Sequence, residues 1–256
     1  MATNKVVFMP ESRATLSADP MEQLRERLLH AFHIIDLSGQ PSGMGSHMTA
    51  RLPGEDRMLF HIHNYGFGEV TPDHIFTSDF DLNVLDANGA DVAVNPTLHI
   101  HTRIYRMRPD VNCIVHTHAK HVTALSCLGQ NLACITQSSA RLYNECVYFA
   151  EEGSVLGKDK AQALADALGG NSAMVLKNHG LLTAGRSIPE AVLLALVMEQ
   201  EAEIQLMAMG AGTISPLGEE GAMRSKEYLR SDKMMGRHWA FQMRKLARLR
   251  PELLEM

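Results

Sequence analysis

The sequence predicts a layered domain of the α/β or α+β class with a central mixed sheet. Segments with the alternating pattern of strands are interspersed with segments of helical spacing, and the links between them are short. Hydrophobic residues make up 45% of the 256 residues, enough for one large domain with a real core or for two small ones. Because no repeat or low-complexity linker divides the chain, we expect a polar arm over 1–19 and one domain over 20–256. Its last part, from about residue 219, is expected to be a helical extension.

The first half of the chain is predicted to begin with a helix and to continue with strands. Asp19 and Pro20 supply an N-cap and a first-turn proline for a helix over 21–37, which Gly39 ends. Strand patterns follow at 57–63, at 75–79, and on both sides of an Asn-Gly turn within 82–94.

The second half is predicted to alternate between strands and helices. Gly170 ends one helix, and Ser187 caps another of more than twenty residues. The predicted elements are a short helix within 102–110, a strand at 112–118, helices at 119–129 and 158–170, strands at 173–180 and 181–185, and helices at 188–210 and 219–249.

Composition excludes several classes of function. The net charge of −5 leaves no basic excess for nucleic acid, and no stretch approaches the 18 apolar residues of a membrane span. The beginning of the chain has no apolar run suited to a signal peptide, and the four cysteines form no CxxC pair. We therefore expect a cytoplasmic protein with buried thiols that binds neither nucleic acid nor membrane.

The segment "IVHTHAKH" at 114–121 carries the main functional signal. Residues two apart on a strand face the same side, so His116 and His118 project together. Two neutral imidazoles on one face suit a divalent metal, whereas two charged ones would repel each other. His121, on the following helix, is expected to face elsewhere.

A third ligand must come from another segment, and His179 in "LKNHGLL" ends a strand at a glycine turn. Three histidines with an open fourth position describe a catalytic zinc site rather than a structural one. We favour one Zn²⁺ per subunit, with Mn²⁺, Fe²⁺ and Co²⁺ also compatible with this ligand set. Other histidines are expected to be structural or on the surface: His30 and His33 in the first helix, and His74 and His238. His61 and His63 line the same cleft or a hydrated face.

Four segments, in order, resemble the class II aldolase/adducin family over roughly 22–210. "GSHMTAR" (45–51) resembles an anion-binding turn, and "HNYGFGEVTPDHI" (63–75) resembles the loop after it. "RPDVNCIVHTHAKHVTALS" (108–126) and "MVLKNHGLLTAGRSIPEA" (174–191) resemble the segments that carry the metal ligands. The resemblance implies a three-layer αβα sandwich with a central mixed or antiparallel sheet. It also implies a homo-oligomer, as the family's sugar-phosphate aldolases are tetramers with clefts near subunit interfaces.

One departure from the family bears on the reaction. The sugar-phosphate aldolases place a catalytic glutamate upstream of the HxH, and alignment on His101 puts Thr97 at that position. Threonine cannot act as a base at neutral pH, whereas aldol cleavage must remove a hydroxyl proton. Decarboxylation needs no such base, because a metal-polarised oxygen accepts the electrons that CO₂ leaves behind. It does need a proton donor, for which His47, His101 and Tyr143 are candidates.

The remaining candidates would bind a small-molecule carboxylate substrate. His47, Arg51, His63 and Asn64 fall in the segments that resemble the anion-binding turn and loop, although Arg51 equally suits a structural salt bridge. Arg141 falls near the family's active-site loop, where a guanidinium would bind a carboxylate through two hydrogen bonds, although that segment also suits a surface loop.

Three functions remain open. The first is a metal-dependent decarboxylase of a hydroxylated aromatic or heteroaromatic carboxylic acid, hence a carbon–carbon lyase. The second is an aldolase acting on a non-phosphorylated hydroxy-keto acid. The third is an adducin-like interaction module without catalysis, which the retained histidines disfavour.

Overall fold

The computed structural model describes residues 19–40, 43–151 and 158–254. Its centre is a seven-stranded sheet in the order β3-β2-β1-β4-β7-β6-β5. All neighbouring strands are antiparallel except β5 and β6, so the sheet is mixed, as predicted. The strands are His47–Arg51 (β1), Arg57–His61 (β2), Ile75–Asp79 (β3), Cys113–Thr117 (β4), Cys146–Phe149 (β5), Ala173–Leu176 (β6) and Gly180–Gly185 (β7).

Helices cover both faces of this sheet, and the predicted three-layer αβα sandwich is confirmed. One apolar core lies between the sheet and a layer that contains α1 and α5, and a second lies between the sheet and a layer of α2 and α4. The helices are Pro20–Asp36 (α1), His99–Met107 (α2), Lys120–Cys127 (α3), Lys158–Leu168 (α4), Ile188–Ala211 (α5), Glu219–Leu229 (α6) and Asp232–Leu249 (α7).

The alternation of side chains along β4 decides which layer meets the histidines. Cys113 and Val115 belong to the core beneath α1 and α5, and Ile114 belongs to the core beneath α2 and α4. His116 is two residues after Ile114 and therefore faces the α2 side of the sheet.

The predicted caps are present where the helices begin. The Met21 amide donates a 2.9 Å hydrogen bond to the Asp19 carboxylate, with Pro20 in the first turn of α1. The Glu190 amide donates to the Ser187 hydroxyl at 3.3 Å at the start of α5. Both side chains satisfy amides that have no acceptor within the helix.

The prediction of strands on both sides of the Asn-Gly turn is wrong. Within 82–94 the described backbone makes only an isolated bridge, between Ser78 and Val84. Asn88 and Gly89 do form a turn, with φ of 48° and 86°. The Asp86 carboxylate accepts from the amide and the hydroxyl of Thr77 at 2.8 Å, so a side chain takes the place of a backbone ladder.

Other boundaries differ from the prediction for local reasons. Helix α2 begins at His99, before the predicted 102, because Asn95 caps a 3₁₀ turn that leads into it. The single helix predicted over 219–249 is two helices, α6 and α7, separated at Arg230 and Ser231. Arg230 instead binds Glu190 at 2.7 Å. Strands β1 and β5 were not predicted.

The two remaining expectations concern the arm and the membrane. The predicted arm lies outside the described residues except for Asp19. Among the helices of the described ranges, none has both the length and the apolar composition that a bilayer crossing requires.

Candidate metal centre

Three imidazoles meet at one end of the sheet. His116 lies on β4, His118 follows that strand, and His179 lies in the turn between β6 and β7. One nitrogen from each ring lies within 4.8 Å of the others. The Nε2 atom of His118 is 3.2 Å from Nε2 of His116 and 2.8 Å from Nε2 of His179. The predicted third histidine thus comes from the distant turn and reaches the other two.

Backbone contacts hold the β6–β7 turn against the end of β4. A Cβ atom on Gly180 would lie 2.3 Å from the Thr117 carbonyl oxygen, so only glycine permits this approach. Asn178 adopts a left-handed conformation with φ of 53°. The Thr123 hydroxyl donates a 3.0 Å hydrogen bond to the carbonyl of His179. These contacts fix the third imidazole relative to the other two.

The turn before β1 approaches the same site. A Cβ atom on Gly45 would lie 2.7 Å from Cε1 of His118, so this ring packs directly on the glycine backbone. Gly66 in turn lies beside the Gly43 carbonyl, where an added Cβ would stand at 3.5 Å. The loop after β2 and the turn before β1 therefore lie next to each other beside His118.

The surroundings keep the three rings neutral. Burial, and then the neighbouring His47, His179 and His118, hold the pKa of His116 well below its usual value. Burial lowers the pKa of His118. Burial and then His118 lower the pKa of His179 to about 4. Neutral imidazole is the form that binds a metal.

A divalent metal fits this donor set. The Nδ1 atom of His116 lies 2.8 Å from the Leu181 carbonyl, which can only accept, so Nδ1 carries the proton and Nε2 carries the lone pair. Three facing Nε2 atoms in neutral rings cannot all be satisfied by each other. Zinc–nitrogen bonds of about 2.0–2.1 Å would place tetrahedral ligands about 3.4 Å apart, close to the spacing of His116 and His118.

A second polar chain runs behind this cluster into the α2 layer. The ring of His47 lies 4.6 Å from that of His116 between centroids. Its Nδ1 atom is 2.8 Å from Nε2 of His101, whose Nδ1 is 2.8 Å from the Thr49 hydroxyl. That hydroxyl is 2.8 Å from the hydroxyl of Tyr105. All four side chains are buried.

A family model described as the class II aldolase and adducin N-terminal domain matches residues 26–206. The chain belongs to the class II aldolase and adducin family. The resemblance seen in its four segments is thereby confirmed.

Individual relatives of this class II aldolase/adducin family member differ in the activity that their names state. A Pseudomonas aeruginosa protein whose name assigns it to aldolase class 2 is 30% identical over 196 residues, 74% of this chain and 73% of the relative. Decarboxylase NovR of Streptomyces niveus is 31% identical over 147 residues, 57% of this chain and 54% of the relative. The solved structure of L-fuculose 1-phosphate aldolase from Glaciozyma antarctica superposes with a TM-score of 0.82 at 27% identity, covering 90% of this chain and 91% of that one.

Two of the residues expected to be catalytic, Thr97 and His101, make contacts within the fold. The Thr97 hydroxyl donates a 2.6 Å hydrogen bond to the Asn95 side chain, in the turn that leads into α2. His101 has no exposed surface and lies behind His47, so it reaches the cluster only through that ring. Its pKa is held well below the usual value by burial and then by His116.

The predicted substrate-binding residues divide between the two ends of the sheet. His47 lies against the cluster, and His63 and Asn64 lie in the loop after β2, whose Gly66 lies next to Gly43. Arg51 ends β1 at the opposite end, four residues from His47. Its guanidinium faces the rings of Phe80 and Tyr105 and lies 3.5 Å from the Asp56 carboxylate, which are structural contacts.

Arg141 and Tyr143 also lie away from the histidines of their own chain. They precede Cys146, which begins β5 and pairs with Ala173, whereas the histidine end of β6 is Leu176. The buried Arg141 donates to the Ser138 hydroxyl at 2.7 Å and to Nε2 of His238 at 2.9 Å. His238 was expected to lie on the surface, and in the structure it is in contact with Arg141.

Four other histidines make contacts within the fold, away from the three imidazoles. Nε2 of His30 is 3.1 Å from the Leu253 carbonyl, and Nε2 of His33 is 2.9 Å from the Val70 carbonyl. His121 turns away from the cluster, and its Nδ1 lies 2.9 Å from the Glu199 carboxylate. The half-buried His74 stacks on Tyr65 at 4.0 Å between centroids.

Sequence reasoning missed three residues of this site: Gly45, Thr49 and Tyr105. The spacing of His101 and Tyr105, four residues apart on one helix face, was a usable signal for a shared polar contact. The role of Thr49 depends on the pairing of β1 with β4, which places His47 opposite His116 and was not predicted.

Proposed function

We propose that this protein is a metal-dependent decarboxylase of a hydroxylated aromatic or heteroaromatic carboxylic acid. The observation that carries the proposal is the group of three neutral imidazoles, to which the described residues add no carboxylate ligand. Threonine occupies position 97, where the family's sugar-phosphate aldolases carry their base. The similarity to Decarboxylase NovR supports the same choice.

His116, His118 and His179 would hold one divalent metal per subunit. We propose Zn²⁺, with Mn²⁺, Fe²⁺ and Co²⁺ as alternatives that accept nitrogen ligands. When bound, the metal would act as a Lewis acid toward a substrate hydroxyl and carboxylate and stabilise the negative charge that develops as CO₂ leaves.

The chain's own residues would orient the ligand and shield it from water. The backbone of Gly45 packs against the ring of His118, and the loop that carries His63 and Asn64 approaches the same turn through Gly66. His47 stands beside His116, where it can contact a ligand directly. His101 is therefore proposed as a positioning residue that acts through His47 rather than as the proton donor.

We further propose a cytoplasmic homo-oligomer, with four subunits as in the family's sugar-phosphate aldolases. Arg141 and Tyr143 precede the end of β5 that is opposite the histidines, so a role in binding carboxylate or donating a proton would involve a neighbouring subunit. Sedimentation of the purified protein measures the subunit number.

The reaction is tested with the purified protein, loaded in turn with each of the four metals. We expect CO₂ release from at least one member of a panel of hydroxybenzoates and hydroxypyridine carboxylates, and its loss after treatment with a chelator. The His116→Ala variant should be inactive. If the loaded protein releases no CO₂ from any member of the panel, the proposal is wrong.

A second candidate is retro-aldol cleavage of a non-phosphorylated hydroxy-keto acid, which the similarity to L-fuculose 1-phosphate aldolase favours. It would release an aldehyde and a pyruvate-like product instead of CO₂, so an aldehyde assay on the same preparations separates the two reactions. A third reading, an adducin-like module without catalysis, requires that the folded protein bind no metal at the three histidines.

A further inference from the structure

In the polar chain behind the metal centre, the number of available protons determines which group donates each hydrogen bond. It contains four contacts: His47 to His101, His101 to Thr49, Thr49 to Tyr105, and the Tyr105 hydroxyl to the Thr49 carbonyl at 3.1 Å. Each contact needs one proton if it is to be a hydrogen bond. A neutral histidine, a threonine and a tyrosine each have one side-chain proton to donate.

Counting starts at the carbonyl of Thr49, which can only accept. The Tyr105 hydroxyl must donate to it, so the 2.8 Å contact between the two hydroxyls requires the Thr49 hydroxyl to donate to Tyr105. The Thr49 hydroxyl has then used its proton, and His101 must donate to it from Nδ1. Neutral His101 therefore has an unprotonated Nε2, which accepts from Nδ1 of His47.

The reverse direction leaves one contact without a proton. If the Thr49 hydroxyl donated to His101, then Tyr105 could donate to the hydroxyl or to the carbonyl of Thr49 but not to both. An unmade hydrogen bond among fully buried groups is destabilising, so this arrangement is disfavoured. Both imidazoles are buried with no charged partner along this chain of contacts, which favours their neutral form.

We propose that Tyr105, Thr49 and His101 are positioning residues that hold His47 in its Nδ1–H tautomer, so that its Nε2 atom accepts a hydrogen bond from the hydroxyl of a ligand at the metal centre. The assignment to a substrate hydroxyl rests on the proposed function; the tautomer does not. No hydrogen bond from the described residues reaches Nε2 of His47. A site built in this way selects carboxylic acids that carry a free hydroxyl donor and rejects their O-methyl ethers.

Solid-state nitrogen-15 NMR of histidine-labelled, zinc-loaded protein tests the tautomer without any need for activity. The His47 signals are identified by their loss in His47→Gln. We expect the proton on Nδ1 in the wild type. In Tyr105→Phe, His101 is the one side-chain acceptor left to the Thr49 hydroxyl among the described residues, so the chain should reverse and the His47 proton should move to Nε2.

Two Thr49 variants and one tyrosine control make the test specific. Thr49→Val removes the acceptor for Nδ1 of His101 and should also reverse the tautomer, whereas Thr49→Ser keeps the hydroxyl and should not. Tyr148→Phe removes a tyrosine hydroxyl on β5 that donates to the Ser126 carbonyl in α3, and should leave His47 unchanged. A proton on Nε2 of His47 in the wild type, or an unchanged tautomer in both Tyr105→Phe and Thr49→Val, overturns the proposal.

Ligand selection is measured by calorimetry with 2-hydroxybenzoate and 2-methoxybenzoate. We expect wild-type protein to bind the hydroxy acid at least tenfold more tightly, and Tyr105→Phe to lose most of this preference. Equal affinity, or no affinity for either acid in the wild type, overturns the selection by His47. Failure of the proposed reaction would appear separately, as absent CO₂ release with the expected tautomer still present.

Discussion

The Nδ1 atom of His116 lies 2.8 Å from the carbonyl oxygen of Leu181, on the strand paired with its own. This contact directs the Nε2 lone pair toward the nitrogens of His118 and His179. The backbone of β7 therefore both supplies the turn with the third imidazole and orients the first.

Removing the His116 imidazole should weaken metal binding strongly, whereas removing the nearby His121 imidazole should not. We expect His116→Ala to lower zinc affinity by more than about 100-fold, because loss of outer-shell partners alone costs 10–100-fold. His121→Ala is the matched control, since its ring contacts Glu199. Competition with a coloured chelator gives both affinities, and equal zinc affinity in the two variants would contradict the proposed ligand set.

A methyl group at position 45 should disturb the metal site more than the fold. In Gly45→Ala the new Cβ would lie 2.7 Å from Cε1 of His118, so that ring must move. We expect at least about tenfold weaker zinc binding, as for loss of an orienting contact. In Gly236→Ala, on helix α7, the added Cβ meets no atom within 4 Å, and zinc binding should be unchanged. Titration calorimetry compares the two variants, and equal affinities would refute the close contact.

Glu199 should stabilise the helix that follows the second ligand. Its carboxylate accepts from the amides of His121 and Val122 at the start of α3, at 3.0–3.1 Å. Glu199→Ala should lower the free energy of unfolding by about 1–3 kcal/mol, since buried amides would lose their acceptor. Glu203→Ala removes a half-exposed carboxylate 3.9 Å from the same His121 ring and should cost less than about 1 kcal/mol. Urea unfolding of both variants measures the difference, and equal losses would argue against the cap.

Acid should destabilise the fold through buried histidines such as His61. Burial, opposed by a hydrogen bond that the imidazole donates to the Tyr65 backbone, lowers the pKa of His61 to about 4. The unfolded chain therefore takes up a proton as the pH falls below about 6.5, and the folded chain does so only near 4. The stability contributed at neutral pH, up to about 3 kcal/mol, is lost across that window.

Urea unfolding of wild type and His61→Gln from pH 8 to pH 4 measures this contribution. Both proteins should show the same pH dependence above pH 7, and the wild type should lose stability more steeply below it. Parallel curves over the whole range would show that His61 does not titrate differently in the two states.

The sequence predicted the metal centre better than the polar chain behind it. Spacing alone places His116 and His118 on one side of an extended segment, and the glycine after His179 marks a turn. The chain from His47 to Tyr105 depends on which strands are neighbours, and that pairing is set by contacts between residues about seventy positions apart.

Local patterns also failed where a side chain replaced the backbone as a hydrogen-bonding partner. The loop within 82–94 has the alternation of a hairpin, but the carboxylate of Asp86 binds Thr77 and Arg25 and holds the segment as a loop. Likewise, Arg51 occupies the expected position in its motif, yet the direction of β1 carries it to the end of the sheet opposite His47.

The close approach of Gly180 to the facing strand affects how variants of this protein should be interpreted. It bears no functional group, yet any side chain there would collide with the backbone of the facing strand. In a saturation-mutagenesis map, this position should tolerate replacement as poorly as the histidine that precedes it. Such a profile would result from steric exclusion at a residue without a reactive group, and it would not indicate a catalytic role for Gly180.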